Sequence, residues 1–129
     1  LVSYIRDRTD AKIWYHTCGG CVEFLPDLLD NGVDILNPVQ VGATGIDPRE
    51  LKDQFGERLV FWGGAIDAQH VLPSATPDEV REHVQRNVQA FKPGGGYVFT
   101  NVHNVQGRVP PENIVALFDA GYEFGRYEF

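Results

Sequence analysis

Four short apolar runs, each followed by a segment of helical spacing, set the limits on how this chain can fold. The runs fall at residues 12–15, 33–36, 59–62 and 97–102. They have strand length, and glycine, proline or asparagine lies close to their ends. Residues 22–31 place Phe24, Leu25, Leu28 and Leu29 on one helical face, and Gly32 stands where a helix end favours glycine. Asp47-Pro48 supplies an N-cap and a first-turn proline for a helix running to about residue 55, just before Gly56. Thr76-Pro77-Asp78-Glu79 is a capping box: threonine accepts from the third helical N–H, and glutamate reaches back to the threonine. Val80, Val84, Val88 and Phe91 follow at helical spacing. Pro110-Pro111-Glu112-Asn113 opens the last helix, with an expected apolar face of Ile114, Leu117, Phe118 and Tyr122.

Strands alternating with helices of this length imply parallel βαβ units in an α/β fold. Strands apolar nearly throughout fit a sheet buried on both faces. Four such units suit half of a (β/α)8 barrel or a small open sheet, and periodicity does not choose between them. No linker divides residues 1–129, which read as one domain or a piece of one. Gly94-Gly95-Gly96 precedes a strand rather than a helix, so it is a turn and not a phosphate cradle. The chain contains no Met, and Leu1, Val2 and Ile5 start a helical pattern with no cap before them. It therefore reads as part of a longer protein.

Composition narrows the function. A net charge of −7 argues against nucleic acid and anionic membrane as partners. No apolar stretch reaches the ~18 residues of a membrane span. Eight Phe, five Tyr and two Trp are too many aromatics for a disordered acidic chain. Two cysteines, Cys18 and Cys21, are too few and too close for a secreted disulfide scaffold, so a reducing cytoplasm is expected.

Chemistry-capable residues stand where the apolar runs stop, and in parallel α/β folds the C-terminal strand ends carry the site. His16-Thr17-Cys18-Gly19 ends the first run, and His103 follows the fourth. Two soft ligands at i and i+2 can point to one face of a strand, and with a distant third they form a zinc site with an open position. The alternative is a buried histidine and cysteine used for packing. Asp67, after Gly63-Gly64, is a candidate catalytic group or ligand orienter. Asn37 and Gln40 flank the second strand end, and Asn104 and Gln106 stand beside His103; their amides suit either substrate or loop backbone. Cys21 completes a Cys-x-x-Cys but reads mainly as packing, with metal or redox roles behind. His70 and His83 read as solvated.

These residues carry a resemblance. His16-x-Cys18-Gly19, Gly32-Val33-Asp34-Ile35-Leu36-Asn37-Pro38-Val39-Gln40, Phe61-Trp62-Gly63-Gly64 with Asp67, Gly95-Gly96-Tyr97-Val98-Phe99, and His103-Asn104-Val105-Gln106 with Val109-Pro110-Pro111-Glu112-Asn113 together resemble the C-terminal half of the uroporphyrinogen decarboxylase superfamily. That superfamily includes corrinoid- and zinc-dependent methyltransferases of the methylcobalamin:coenzyme M type. The resemblance covers essentially the whole chain and implies the last four βα units of a (β/α)8 barrel. Half a barrel exposes two sheet edges and part of a core, so it is expected to be marginal alone, to form a homodimer, or to belong with a missing N-terminal half.

In the methyltransferases, His-x-Cys after the fifth strand and Cys after the eighth bind zinc. His16 and Cys18 match the first pair, and the third position falls on His103. In the decarboxylases that late position is an active-site His, and the His-x-Cys is absent. The methyltransferase branch implies zinc on His16, Cys18 and His103, a small-molecule thiol, and a corrinoid protein as methyl donor. The decarboxylase branch implies a carboxylated tetrapyrrole, no metal, and His103 with Asp67 as active-site groups. A half-barrel that binds without turnover is the third expectation.

Overall fold

A computed structural model describes residues 1–127. A short helix, α1 (Val2–Arg6), precedes β1 (Trp14–His16). A 3₁₀ turn (Val22–Phe24) leads into α2 (Leu25–Asp30), then β2 (Ile35–Asn37) and α3 (Val41–Thr44). Next come α4 (Pro48–Phe55), β3 (Val60–Trp62), α5 (Pro77–Phe91), β4 (Tyr97–Val98) and α6 (Pro111–Phe124).

The four strands form one sheet in the order β1-β2-β3-β4, every pair parallel. Spatial order follows chain order without reversal, which is unlike a doubly wound sheet with its switch point. The sheet therefore has two distinct faces. On one face Phe61 is fully buried, 5.2 Å from the Phe91 ring of α5. Leu25, Leu36, Leu51, Leu59 and Phe91 are among the other members of that cluster. A second cluster, including Leu72, Val80, Val84, Val88 and Leu117, joins α5 and α6. On the other face Trp14 meets Trp62 edge to face at 6.3 Å, and both stay exposed, at 48% and 36%. The expectation of strands buried on both faces fails here, because nothing among the described residues covers the Trp14 face.

Caps placed the longer helices well. Thr76 and Glu79 form the reciprocal capping box of α5, and the Asp47 side chain accepts from Arg49 N–H at the start of α4. The segment at 22–31 is not one helix. Pro26 has no N–H to donate back to residue 22, so a 3₁₀ turn precedes α2 and Phe24 is 60% exposed. The fourth strand stops at Val98 rather than 102. Gly63 and Gly64 take φ values of 104° and 74° and turn β3 away, so β4 loses its ladder partner. Isolated bonds persist beyond it, from Gly63 N–H to the Val98 carbonyl and from Ala65 N–H to the Thr100 carbonyl. A Cβ on Gly64 would lie 3.0 Å from the Val39 carbonyl oxygen, so this close approach of strand ends also needs glycine. On α6, Leu117 is buried, whereas Phe118 and Tyr122 are exposed. Gly121 instead admits the Phe99 ring, and the Ala116, Leu117 and Ala120 side faces the core.

His83 is half-buried on α5 rather than solvated. Burial, reinforced by the Arg86 charge, pushes its pKa below the ordinary histidine value. Cys21 is buried in the first core cluster, and burial raises its thiol pKa, which suits packing rather than reactivity. Among the described residues no helix is long and apolar enough to cross a membrane.

Candidate active site

The parallel register brings His16 at the end of β1 beside Asn37 at the end of β2. Their side chains meet, His16 Nδ1 lying 2.8 Å from Asn37 Oδ1. The other ring nitrogen, Nε2, lies 3.5 Å from Cys18 Sγ. This spacing can be tested against zinc. A tetrahedral zinc with bonds of about 2.3 Å to sulfur and about 2.05 Å to nitrogen separates the two donor atoms by about 3.6 Å. The pair therefore fits two corners of such a site. Among the described residues no group of three His, Cys, Asp or Glu side chains converges, so the structure does not bring His103 to this pair.

His103 lines a cleft of about 730 Å³ instead, together with Gln40, Asp67, Asn104 and Gln106. Five of the residues expected at the site thus share one cavity, while His16, Cys18 and Asn37 do not line it. Gln40 links the two groups: it lines the cleft, and its Oε1 accepts from the Gly19 N–H at 2.7 Å, tethering the loop after Cys18. Asn101 holds the turn that leads into His103, accepting from Val102 N–H and donating to the His103 carbonyl. Gln106 Nε2 donates to the Asn104 carbonyl at 3.1 Å and lies 3.5 Å from His103 Nδ1.

Asp67 is the best-anchored charge in the cleft. Its Oδ1 accepts from the N–H groups of Gln69 and His70, at 2.8 and 2.9 Å, and Oδ2 lies 3.0 Å from His70 Nδ1. Burial opposes its ionisation. The bonds from His70 and Gln69 overcome that and hold the carboxyl below the ordinary aspartate range. Asp67 is therefore a carboxylate at neutral pH, suited to accept a hydrogen bond or orient a cation.

Four contributors were not singled out from the sequence. His70 is exposed as expected, but its ring partners Asp67; the Asp-x-x-His spacing behind Gly63-Gly64 was the available signal. Gly42 lies against Asp67, where a Cβ would come within 2.6 Å of Oδ2. Arg108 is the only Lys or Arg among the described cleft-lining residues, and it gives that wall its positive charge. Asn87 is fully buried on α5, and its Nδ2 donates to the carbonyls of Gly64 and Ala65, at 2.9 and 3.3 Å. A polar residue beside Val80, Val84 and Val88 marked it in the sequence.

A family model described as uroporphyrinogen decarboxylase (URO-D) matches residues 1–124. The chain belongs to the URO-D family. A uroporphyrinogen decarboxylase of Psychromonas ingrahamii is 35% identical over 78 residues, 60% of this chain and 21% of that protein. One from Herminiimonas arsenicoxydans is 28% identical over 109 residues, 80% of this chain and 28% of that protein. The fold also matches a methyltransferase from Methanosarcina mazei, with a TM-score of 0.72 at 20% identity, over 95% of this chain and 34% of that one. The URO-D chain thus spans between a fifth and about a third of the length of these proteins.

Proposed function

We propose that the protein to which this chain belongs transfers a methyl group from a corrinoid carrier to a small-molecule thiol with the help of zinc. The chain contributes His16 and Cys18 as ligands and one wall of the substrate cleft. The observation that carries this reading is the 3.5 Å separation of His16 Nε2 and Cys18 Sγ, which matches the span across a tetrahedral zinc. His103 is the third protein ligand of the reading, and reaching the pair requires the 101–108 loop to turn toward β1. When bound, zinc would lower the pKa of a thiol so that it ionises near neutral pH. The chain's own part is to hold the donors, align the acceptor through Asn104 and Gln106, and keep Asp67 charged beside it. The rest of the barrel, or a second copy, would cover the exposed Trp14–Trp62 face. In this reading the reduced thiols favour a cytoplasmic location.

A second reading has its own support: the cleft gathers His103 and Asp67 apart from the His16–Cys18 pair, and the Psychromonas and Herminiimonas relatives are named decarboxylases. In that reading the two residues are polar groups around a carboxylated tetrapyrrole, and no metal takes part. Zinc content of the full-length parent protein separates the two. About one zinc per chain, lost in a His16→Ala/Cys18→Ala variant, supports methyl transfer. Absence of zinc from a folded parent protein defeats it and favours decarboxylation or a non-catalytic half-barrel.

A further inference from the structure

A neutral histidine carries its proton on either ring nitrogen, and only the bare nitrogen can bind a metal. For His16 to offer Nε2 toward Cys18, the proton must be on Nδ1. The partner of Nδ1 decides this, and that partner is the Asn37 side chain, with Oδ1 at 2.8 Å. The contact is built into the sheet. His16 and Asn37 are register partners on neighbouring parallel strands, so their side chains project to the same face. The Asn37 carbonyl also accepts from the Thr17 N–H at 2.9 Å, fixing the two strand ends together just beyond the ring. The neighbouring groups do not compete for Nδ1. Gln40 Oε1 accepts from Gly19 N–H, and the Trp14 ring, 5.7 Å from the imidazole, has a donor but no acceptor nitrogen.

We infer that Asn37 is a positioning residue: its carboxamide oxygen holds His16 in the Nδ1-protonated form and leaves the Nε2 lone pair facing Cys18. This differs from the substrate contact suggested by its place at a strand end. Its purpose rests on the zinc reading above, but the tautomer is a property of the chain with or without metal. An acceptor behind a ligating histidine fixes the ring and raises its basicity, and losing one costs 10–100-fold in metal affinity on the order found at other sites.

The test uses the ¹⁵N-histidine-labelled full-length parent protein at mildly alkaline pH, where long-range ¹⁵N–¹H correlations report the His16 tautomer. Zinc affinity is measured in parallel by chelator competition. Asn37→Leu removes the acceptor. It is expected to move His16 toward the Nε2-protonated form and to weaken zinc roughly 10–100-fold. Asn37→Asp keeps an acceptor at the same place, and is expected to retain the tautomer and the affinity. An unchanged tautomer in Asn37→Leu overturns the inference. So does a wild-type chain in which His16 is protonated on Nε2, since the amide nitrogen and not the oxygen would then face the ring. An Asp variant that behaves like the Leu variant also overturns it, since an acceptor at that place would then not set the tautomer. If the wild-type parent protein binds no zinc, the zinc reading fails, while the tautomer comparison still decides the role of Asn37.

Discussion

Asn87 connects the longest helix to the turn that carries the cleft, and replacing it separates hydrogen bonding from simple packing. Its side chain is fully buried, and Nδ2 serves the carbonyls of Gly64 and Ala65 at 2.9 and 3.3 Å. Each such bond contributes about 0.5–1.5 kcal/mol net, and a buried carbonyl left unpaired costs about 1–3 kcal/mol. Asn87 Oδ1 has no hydrogen-bond partner, so deleting it offsets part of that loss. Asn87→Ala is therefore expected to destabilise the chain by about 1–3 kcal/mol. Asn87→Asp should be worse at neutral pH, because a buried carboxylate would face two carbonyl oxygens with no proton to donate. Acid discriminates the two. Burial beside the carbonyls would raise the folded-state pKa of the introduced carboxyl above its unfolded value of about 3.9. Once protonated, that carboxyl can donate to Gly64, so the Asp variant recovers part of its stability as pH falls through the folded pKa, a recovery complete below about pH 4. The Ala deficit has no such dependence. Urea unfolding at neutral and acid pH, followed by the fluorescence of Trp14 and Trp62, measures both. Equal deficits for the two variants at both pH values would refute the claim that these bonds hold the turn.

Two other expectations concern the same wall. Gly42→Ala would push a methyl group onto Oδ2 of Asp67, a carboxylate that two bonds to Oδ1 and one to Oδ2 pin in place; overpacking of this kind costs about 1–3 kcal/mol. In an Asp67→Ala background the same change should be near neutral, and a double-mutant cycle of urea midpoints checks it. Because Asp67 is held below its ordinary pKa, its contribution to stability is present above about pH 4 and lost as pH falls through the folded-state value. Asp67→Asn should thus be less stable than wild type at neutral pH, and the gap should close on acidification. A gap that widens in acid contradicts the assigned bonds.

The sequence showed the axial layout of this fold well. The Thr76–Glu79 capping box, the Pro48 start and the four strand–helix alternations all stand close to where local chemistry placed them. Local propensity does not report which neighbour a face will meet. Phe118 and Tyr122 have the spacing of a buried stripe, yet α6 turns Ala116, Leu117 and Ala120 inward, and Gly121 leaves room there for Phe99. The apolar character of β1 likewise suggested burial, although only β2 pairs with it among the described residues. The same limit applies to the site. Residues at strand ends could be expected at one end of the sheet, but not their bearing around it. His16 and Cys18 converge beside β2, while His103 leaves β4 toward the cleft beside Asp67. Asn37 and Gln40, whose amides suited either substrate or loop backbone, have oxygens turned to His16 and Gly19. That arrangement depends on strand register, which pairs residues far apart in the chain.

Metal binding by His16 and Cys18 is tested by the absorption spectrum of the full-length parent protein loaded with cobalt(II) in place of zinc. A thiolate bound to cobalt gives an intense charge-transfer band in the near ultraviolet, and tetrahedral coordination gives strong visible bands. Both are expected, with the charge-transfer band lost in Cys18→Ser and the visible bands altered in His16→Ala. A folded parent protein that shows neither band, or in which both variants leave the spectrum unchanged, would contradict metal binding by His16 and Cys18.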